Sequence, residues 1–175
     1  GNFIYEQVSS GLPVLRFIGN SQGYVVPLEQ GGVNYVYQFR DHLGNVRLSY
    51  SDYNSNNSIE SNEIVQAKNY YPFGMKHNYG IDSPMSNING PDHQWGYNGQ
   101  ELNESFGLNM NEMTYRQYDN ALGRFNSIDK LAAASYSMTP YHFTGNNPIN
   151  YSDASGLKRN APGNNFIPTS YNVYN

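Results

Sequence analysis

Apolar and polar residues alternate over short stretches of this chain, and glycine, asparagine or proline separates the stretches. Residues 34–40 and 46–53 alternate with a period of two, which is typical of half-buried β-strands. Residues 41–45 between them read Asp-His-Leu-Gly-Asn, and Gly44 suits a left-handed position of a tight turn. This pattern predicts a β-hairpin.

The rest of the chain repeats this pattern with one exception. Further strand and turn patterns lie at residues 12–18, 24–28, 64–75, 97–118 and 140–151. Residues 76–94 are rich in Asn, Gly, Ser, Asp and Pro and predict a long irregular connection. Only residues 129–135, Asp-Lys-Leu-Ala-Ala-Ala-Ser, have clear helical propensity, with Asp129 as the expected N-cap. The predicted fold is mainly β, with antiparallel hairpins and one short helix.

Composition narrows the class of protein. Charged residues make up 14% of the chain, against about 25% in an average globular domain, while tyrosine alone contributes 17 residues. Such a composition is typical of β-rich extracellular surfaces. A net charge of −4 with only 10 Lys and Arg residues provides no basic stripe for nucleic acid. The chain has no cysteine, which excludes disulfides, thiolate zinc sites and cysteine nucleophiles, and it has no apolar run of about 18 residues to span a bilayer.

A polar loop at residues 52–63 has the spacing of a calcium-binding EF-hand loop, with oxygen-bearing side chains at the ligand positions. The candidate calcium ligands are Asp52, Asn54, Asn56, Ser58, Glu60 and Glu63. The alternative is a polar hairpin tip, since Asn and Ser are common in turns. The sequence leaves both interpretations open.

The segment 115–157 carries a longer motif, YRQYDNALGRFNSID followed by TPYHFTGNNPINYSDASGL. It resembles the C-terminal core of RHS/YD-repeat proteins, a family that includes the toxin-encapsulating C components of Tc toxins. The positions that match are Arg116, Tyr118, Asp119, Leu122, Gly123, Arg124, Phe125, Ser127, Asp129, Asn146, Asn147, Pro148, Asp153, Gly156 and Leu157. The hairpin sequence YQFRDHLGNVRLSY and the phrase YYPFG also look like parts of RHS proteins.

The resemblance implies a fold and a chemistry. In the family, hairpins rich in Tyr and Asp build a hollow shell, and the core domain closes one end as a plug. In the toxin-carrying members, one Arg and two Asp side chains cut the chain after the final Gly-Leu. The matching residues here are Arg116, Asp129 and Asp153, and the bond at risk joins Leu157 to Lys158. Two adjacent carboxyls do not both ionise readily, so one acts as an acid while the other activates water, and a guanidinium holds the ionised partner or the oxyanion.

The chain departs from the family pattern after three of its aspartates, where Asn120, Lys130 and Ala154 replace proline. Proline restricts the preceding residue to extended conformations, so packing must orient these carboxyls instead. Lys130 places a cation beside Asp129 in sequence, which favours ionisation of both carboxyls. The structural alternative is that Asp and Arg side chains only hydrogen-bond turns of a β-rich fold.

These observations predict four segments: N-terminal strands at 1–33, RHS-like hairpins at 34–114, the core motif at 115–157, and an extended tail at 158–175. The expected function is that of a secreted or bacterial cell-surface structural module, adhesin-associated or exported as in gliding systems. It would dock with or complete a larger β-rich or repeat-containing surface protein. The alternative is an autoproteolytic core that cleaves after Leu157 within a toxin-delivery shell. A first residue Gly1 without an initiator Met predicts a processed product or the tail of a longer protein.

Overall fold

The computed structural model describes residues 3–6, 11–28, 30–77 and 93–161. The ten strands of these ranges are β1 Phe3–Glu6, β2 Val14–Asn20, β3 Gly23–Pro27, β4 Val33–Arg40, β5 Val46–Tyr50, β6 Ile64–Ala67, β7 Glu101–Asn103, β8 Met110–Glu112, β9 Gln117–Asp119 and β10 Arg124–Phe125. The prediction of a mainly β fold built from antiparallel hairpins is therefore confirmed. Most of the predicted connection at 76–94 and of the predicted tail at 158–175 lies outside the described residues.

Helical structure in the described residues is limited to 3-10 turns of three residues each. They are Ser61–Glu63, Tyr97–Gly99, Ser105–Gly107, Ala132–Ala134 and Thr144–Asn146. No described helix has the length and apolar character needed to cross a membrane. The helix predicted at 129–135 is wrong in extent, because only Ala132–Ala134 form a 3-10 turn and the residue before that turn is Leu131. Three alanines supply too few hydrogen bonds to offset the cost of helix nucleation.

The described residues form two compact units. The sheet unit comprises residues 3–6, 11–28, 30–39 and 48–67, and the core unit comprises residues 40–47, 68–77 and 93–161. The four predicted segments follow the chain in order, whereas each unit combines separated stretches. The segment boundaries stay a prediction.

The sheet unit contains β1 to β3, β6 and most of β4 and β5, in a sheet whose strand order equals the sequence order. One face of this sheet buries Tyr24, Val36 and Val65, and Phe17 and Val26 pack against them. The rings of Phe17 and Tyr24 meet edge to face, with centroids 5.1 Å apart. This is a small core for six strands.

The opposite face of the same sheet is also apolar. Cross-strand pairing aligns Phe3 with Ile18, Ile18 with Val25, and Val25 with Tyr35, so these four residues form one row across β1 to β4. The two ends of the row are exposed, Phe3 by 57% and Tyr35 by 55%. On this same face, Tyr37 lies two residues beyond Tyr35 along β4 and is also exposed.

The core unit holds a second sheet, in the order β10-β9-β8-β7, above an aromatic cluster. The cluster is formed by Tyr97, Met113, Tyr118, Phe125 and Phe143. Tyr118 and Phe143 are fully buried and stack with ring centroids 4.1 Å apart. Aromatic pairs of this kind add about 0.5–1.5 kcal/mol beyond the burial of their surface. A member of this cluster, Phe125, packs against the guanidinium of Arg116.

Two tyrosine hydroxyls of the cluster are satisfied by backbone carbonyls. Tyr97 Oη donates to the Pro72 carbonyl at 2.8 Å, and Tyr118 Oη donates to the Phe73 carbonyl at 2.9 Å. Burial raises the pKa of both phenols, so they remain protonated donors at neutral pH. The turn at residues 72–73 is thereby attached to the centre of the core unit.

The turn predicted at residues 41–45 is present. Asp41 Oδ1 accepts the backbone N–H groups of Leu43 and Asn45, both at 3.0 Å. Gly44 has φ +80°, as expected for a left-handed turn position. The capping contacts of Asp41 and the left-handed conformation of Gly44 therefore form the turn that connects β4 and β5, as the sequence predicted.

Candidate functional site

Three polar side chains predicted as a site, Arg116, Asp129 and Asp153, come together in the core unit. Arg116 directly precedes β9, Asp129 precedes the 3-10 turn Ala132–Ala134, and Asp153 begins a turn that ends at Gly156. All three residues are 5% exposed or less. Buried charges require partners, so their mutual contacts decide whether the arrangement is stable.

The guanidinium of Arg116 is the centre of this cluster. Its Nη2 lies 2.8 Å from Asp129 Oδ2 and 4.0 Å from Asp153 Oδ2. Its Nη1 donates to the Pro140 carbonyl at 3.1 Å, and its Nε donates to the Gly156 carbonyl. A single planar group therefore ties together four points of the chain, and the fixed fork of an arginine suits this task better than a lysine ammonium.

The aromatic cluster sets the plane of this guanidinium. Arg116 Cζ lies 3.6 Å from the centre of the Phe125 ring, which is 1% exposed. A cation over an aromatic face is attracted by the ring quadrupole, more strongly when water is excluded. Phe125 thus holds Arg116 in the orientation in which it reaches both carboxyls.

Asp153 holds the backbone on the N-terminal side of the predicted cleavage point. Its Oδ1 accepts the N–H groups of Gly156 at 2.9 Å and Leu157 at 3.1 Å, and the Ser155 hydroxyl at 3.2 Å. Its own N–H donates to Asn98 Oδ1 at 2.9 Å. The carboxyl therefore lies directly against the residue after which the cut was predicted.

Asp129 has a second contact besides Arg116. Its Oδ1 accepts the Leu131 N–H at 2.7 Å, so the carboxyl also supports the local turn. This contact fits the structural alternative stated for the sequence, and the contact with Arg116 fits the catalytic one. The geometry accommodates both roles in one residue.

Burial is the main cause of the pKa shifts of both Arg116 and Asp153. Burial raises the pKa of Asp153, opposed by the charge of Arg116 and by the hydrogen bonds from Gly156, Ser155 and Leu157. Burial lowers the pKa of Arg116, opposed by Asp129 and Asp153. An arginine stays protonated in proteins even so. The cluster thus combines a cation, a carboxyl in a close salt bridge and a carboxyl that binds a proton more readily than usual.

Both carboxyls border a groove of about 640 Å³. Its walls include Leu157 and Lys158, the residues on either side of the predicted cleavage point, and His142. Lys130 is exposed and its Nζ lies 5.4 Å from the centre of the Tyr115 ring. The expected influence of Lys130 on the carboxyl pair stays a prediction.

The predicted calcium loop belongs to the sheet unit and uses its side-chain oxygens internally. The Glu63 carboxylate accepts the N–H groups of Tyr53, Asn54 and Glu60 at 3.0 to 3.3 Å. The Asp52 carboxylate accepts those of Asn56 and Asn57 at 2.9 to 3.1 Å.

Three of the four remaining candidate ligands follow the same pattern with their side-chain oxygens. Asn54 Oδ1 accepts the Asn56 N–H, Asn56 Oδ1 accepts the Ser58 N–H, and Glu60 Oε1 accepts the Asn56 side-chain amide. Within the described ranges, no three or more His, Cys, Asp or Glu side chains are grouped to hold a metal. The polar hairpin tip accounts for these contacts, and calcium binding stays a prediction.

Asn98 is a site residue that sequence reasoning missed. It is fully buried at φ +51°, and its N–H donates to Asn45 Oδ1 at 2.7 Å while its own Oδ1 accepts the Asp153 N–H. The Asn98-Gly99 dipeptide signals a turn, but its partners lie more than fifty residues away in sequence. A local pattern contains no information on such partners.

Comparison with known proteins gives a likeness in fold. Neither the known protein-family models nor the curated protein sequences contain a match to this chain. Among solved structures, the chain is similar to TcdB2-TccC3 with a TM-score of 0.63 and 20% identity over 89% of this chain. It is also similar to a chain of the Photorhabdus luminescens Tc holotoxin pore carrying a mutation in TccC3, with a TM-score of 0.63 and 19% identity over 94% of this chain.

This chain spans only a small part of the proteins that it resembles, 7% of the TcdB2-TccC3 chain and 8% of the holotoxin pore chain. A third match, TcdB2-TccC3 without its hypervariable C-terminal region, has a TM-score of 0.61 at 19% identity. At such identities the likeness concerns the fold. The described strands and turns therefore have the fold of a short part of these TcdB2-TccC3 toxin chains.

Proposed function

We propose that this chain is a structural module that docks with, or completes, a larger β-rich protein at the bacterial cell surface. The observation that carries the proposal is the apolar row from Phe3 to Tyr35 on the second face of the six-stranded sheet, whose two ends are exposed and whose middle is half-buried. Sheets that are apolar on both faces are normally covered on both. Contiguous exposed apolar patches mark interaction surfaces.

Two further observations support a partner that is itself β-rich. Among the described strands, β1 pairs only with β2, so one of its edges is available for another strand. The chain also has the fold of a small part of much longer toxin chains, where the corresponding part is covalently joined to the rest. A partner of the same architecture would cover both the apolar row and the edge of β1.

The test is the behaviour of the purified chain. We expect it to self-associate and to bind a dye specific for exposed apolar surface, such as ANS. Replacing both ends of the row, in a Phe3→Ser/Tyr35→Ser variant, should reduce both properties while the circular dichroism spectrum is kept. The control is Tyr136→Ser, since Tyr136 is 92% exposed and lies in the core unit. A wild-type chain that is monomeric, soluble and cooperatively folded alone would contradict the proposal.

A second candidate function is self-cleavage between Leu157 and Lys158. It is favoured by one specific observation: Arg116 contacts both carboxyls and the Gly156 carbonyl, while Asp153 accepts the Leu157 N–H. In this reaction the oxygen of a water molecule joins the Leu157 carbonyl carbon. The water gives one proton to one carboxylate, the bond to the Lys158 nitrogen breaks, and that nitrogen takes a proton from the other carboxyl and leaves as an amine.

The environments of the two carboxyls suggest different roles. We assign Asp129, in the close salt bridge, as the base that activates water, and Asp153, with its raised pKa, as the acid that protonates the leaving nitrogen. Arg116 is placed to hold the carboxylate or the developing oxyanion.

Intact-mass measurement over time at mildly acidic pH tests this candidate. We expect fragments 1–157 and 158–175 from the wild-type chain and none from Asp153→Asn. Asp119→Asn is the matched control, because Asp119 caps an exposed turn through Ala121 and Leu122. A wild-type chain that stays intact, or an Asp153→Asn variant that is cut equally fast, would exclude it.

A further inference from the structure

The residues that follow Leu157 are attached to the core unit by contacts separate from the carboxyl cluster. Ser152 and Asn160 form an antiparallel bridge with both of its hydrogen bonds. The Ser152 N–H donates to the Asn160 carbonyl at 3.0 Å, and the Asn160 N–H donates to the Ser152 carbonyl at 2.7 Å. The chain between them is a closed loop that contains the Leu157–Lys158 bond.

Arg159 adds a side-chain anchor next to this bridge. Its guanidinium lies over the Tyr151 ring, with Cζ 4.7 Å from the ring centre. Gly145 leaves room for it, since a Cβ at this position would lie 2.8 Å from Arg159 Nη1. A cation over a half-buried aromatic ring such as Tyr151 is a modest attraction, but here it acts together with two backbone hydrogen bonds.

The two sides of the Leu157–Lys158 bond are thus held by different groups. Upstream, Asp153 and Arg116 bind the backbone of Gly156 and Leu157. Downstream, the bridge and the Arg159–Tyr151 contact hold residues 159 and 160. We propose that Arg159 and Asn160, together with Tyr151 and Ser152, form a downstream clamp that positions this bond for cleavage and keeps the two fragments associated afterwards.

This inference rests on the proposed self-cleavage. An anchored bond spends more time in reach of the reacting groups, and small displacements of a reacting bond slow catalysis by up to about a hundredfold. Hydrolysis within the closed loop breaks none of the clamp contacts, so the fragment that begins at Lys158 remains bound. The clamp residues contact neither carboxyl through any hydrogen bond described above, so Arg159 acts as a positioning residue and not as an acid or base.

The first test uses Arg159→Met in the full chain, which keeps the length of the side chain and removes its charge. We expect cleavage about tenfold slower than in the wild type, with an unchanged midpoint in the pH profile of the rate. Arg159→Lys should restore most of the rate, because it returns a cation to the Tyr151 ring. A wild-type rate in Arg159→Met, or a shifted midpoint, would overturn the positioning role.

The second test follows the fragments of the cleaved wild-type chain. Under native conditions we expect both fragments in one peak by size exclusion, and under denaturing conditions two separate masses. Tyr151→Leu, which removes the aromatic face, should release the downstream fragment faster under native conditions. Immediate separation of the wild-type fragments would overturn product retention.

A third measurement separates failure of the clamp from failure of self-cleavage. In the full-length Asp129→Asn chain, expected to stay uncut, hydrogen exchange at the Asn160 amide should be slow because this amide donates to Ser152. Exchange of the Asn160 amide at the rate of an unstructured amide, while the other amides of the core unit stay protected, would overturn the clamp whether or not the wild type cuts itself. A protected Asn160 amide in a wild-type chain that never cuts itself would overturn the cleavage proposal and the positioning role with it.

Discussion

The sheet unit and the core unit differ in what holds their buried residues in place. In the sheet unit, strands pair with their neighbours in sequence, and a small cluster around Tyr24, Val36 and Val65 covers one face only. In the core unit, buried side chains bond to distant backbone, as Tyr97 does to Pro72 and Tyr118 to Phe73. The first arrangement is regular and leaves an apolar face exposed, whereas the second is irregular and ties buried side chains to backbone far away in sequence.

This difference indicates where each unit is sensitive. Loss of one partner from a buried polar network leaves the others unsatisfied, so substitutions in the core unit should have large effects on stability. Exposed residues of the sheet unit contribute little to stability and mainly change association. The three predictions below test this contrast in order of decreasing effect.

Arg116→Met should have the largest effect. It leaves the Asp129 and Asp153 carboxyls buried without their cation, which typically lowers the free energy of unfolding by about 3–5 kcal/mol. Urea denaturation measures this change. Arg124→Met is the control, because Arg124 is exposed and its replacement should change stability by no more than about 0.5 kcal/mol. Equal losses in the two variants would contradict the central role of Arg116.

Gly74→Ala and Gly31→Ala compare the two units at similar backbone angles. Gly74 has φ +91° and Gly31 has φ +87°, so alanine at either position costs about 1–2 kcal/mol. A Cβ on Gly74 would lie 2.5 Å from the Tyr97 ring, whereas a Cβ on Gly31 meets nothing within 4 Å. Overpacking should therefore cost Gly74→Ala about 1–3 kcal/mol more. Thermal unfolding measures the difference. Equal melting temperatures would show that the Tyr97 ring moves aside for the added methyl group without a loss of stability.

His93 should make the core unit sensitive to acid. Burial, aided by the charge of Lys68, lowers the pKa of His93 from 6.5 to about 3. The folded state then holds a neutral imidazole, so its contribution to stability is complete above pH 6.5 and is lost as the pH falls toward 3, by at most about 1.4 kcal/mol per pH unit.

The lone tryptophan, Trp95, reports on this region, since its ring lies 4.7 Å from that of His93. Denaturation followed by Trp95 fluorescence should show stability falling between pH 6.5 and 5. In His93→Gln the slope over this window should be much smaller. The same slope in both chains would assign the acid sensitivity to other groups.

Local sequence patterns predicted those parts of the fold that depend on neighbouring residues. The hairpin of β4 and β5 follows from alternation and from the turn at Asp41 and Gly44. The helix predicted at 129–135 is a 3-10 turn at Ala132–Ala134, because three alanines supply too few hydrogen bonds to offset the cost of helix nucleation. Local propensity did not give the extent of this segment.

The candidate site was anticipated by a different route. Residue spacing does not place Arg116, Asp129 and Asp153 together, and their proximity was implied only by the resemblance of the surrounding motif to RHS cores. The structure brings these three residues together, but their catalytic role stays a prediction. The link from Asn45 through Asn98 to Asp153 was not foreseen, because it joins segments more than fifty residues apart.

The attachment of the 72–73 turn affects the order in which the chain acquires its shape during synthesis. The Pro72 and Phe73 carbonyls leave the ribosome before their partners Tyr97 and Tyr118, which follow 25 and 45 residues later. Contacts over such separations slow folding because a long loop must close first. Until Tyr118 emerges, the nascent core unit lacks the central residue of its aromatic cluster. A truncated chain that ends before residue 118 should therefore remain unfolded, bind chaperones and be degraded by proteases.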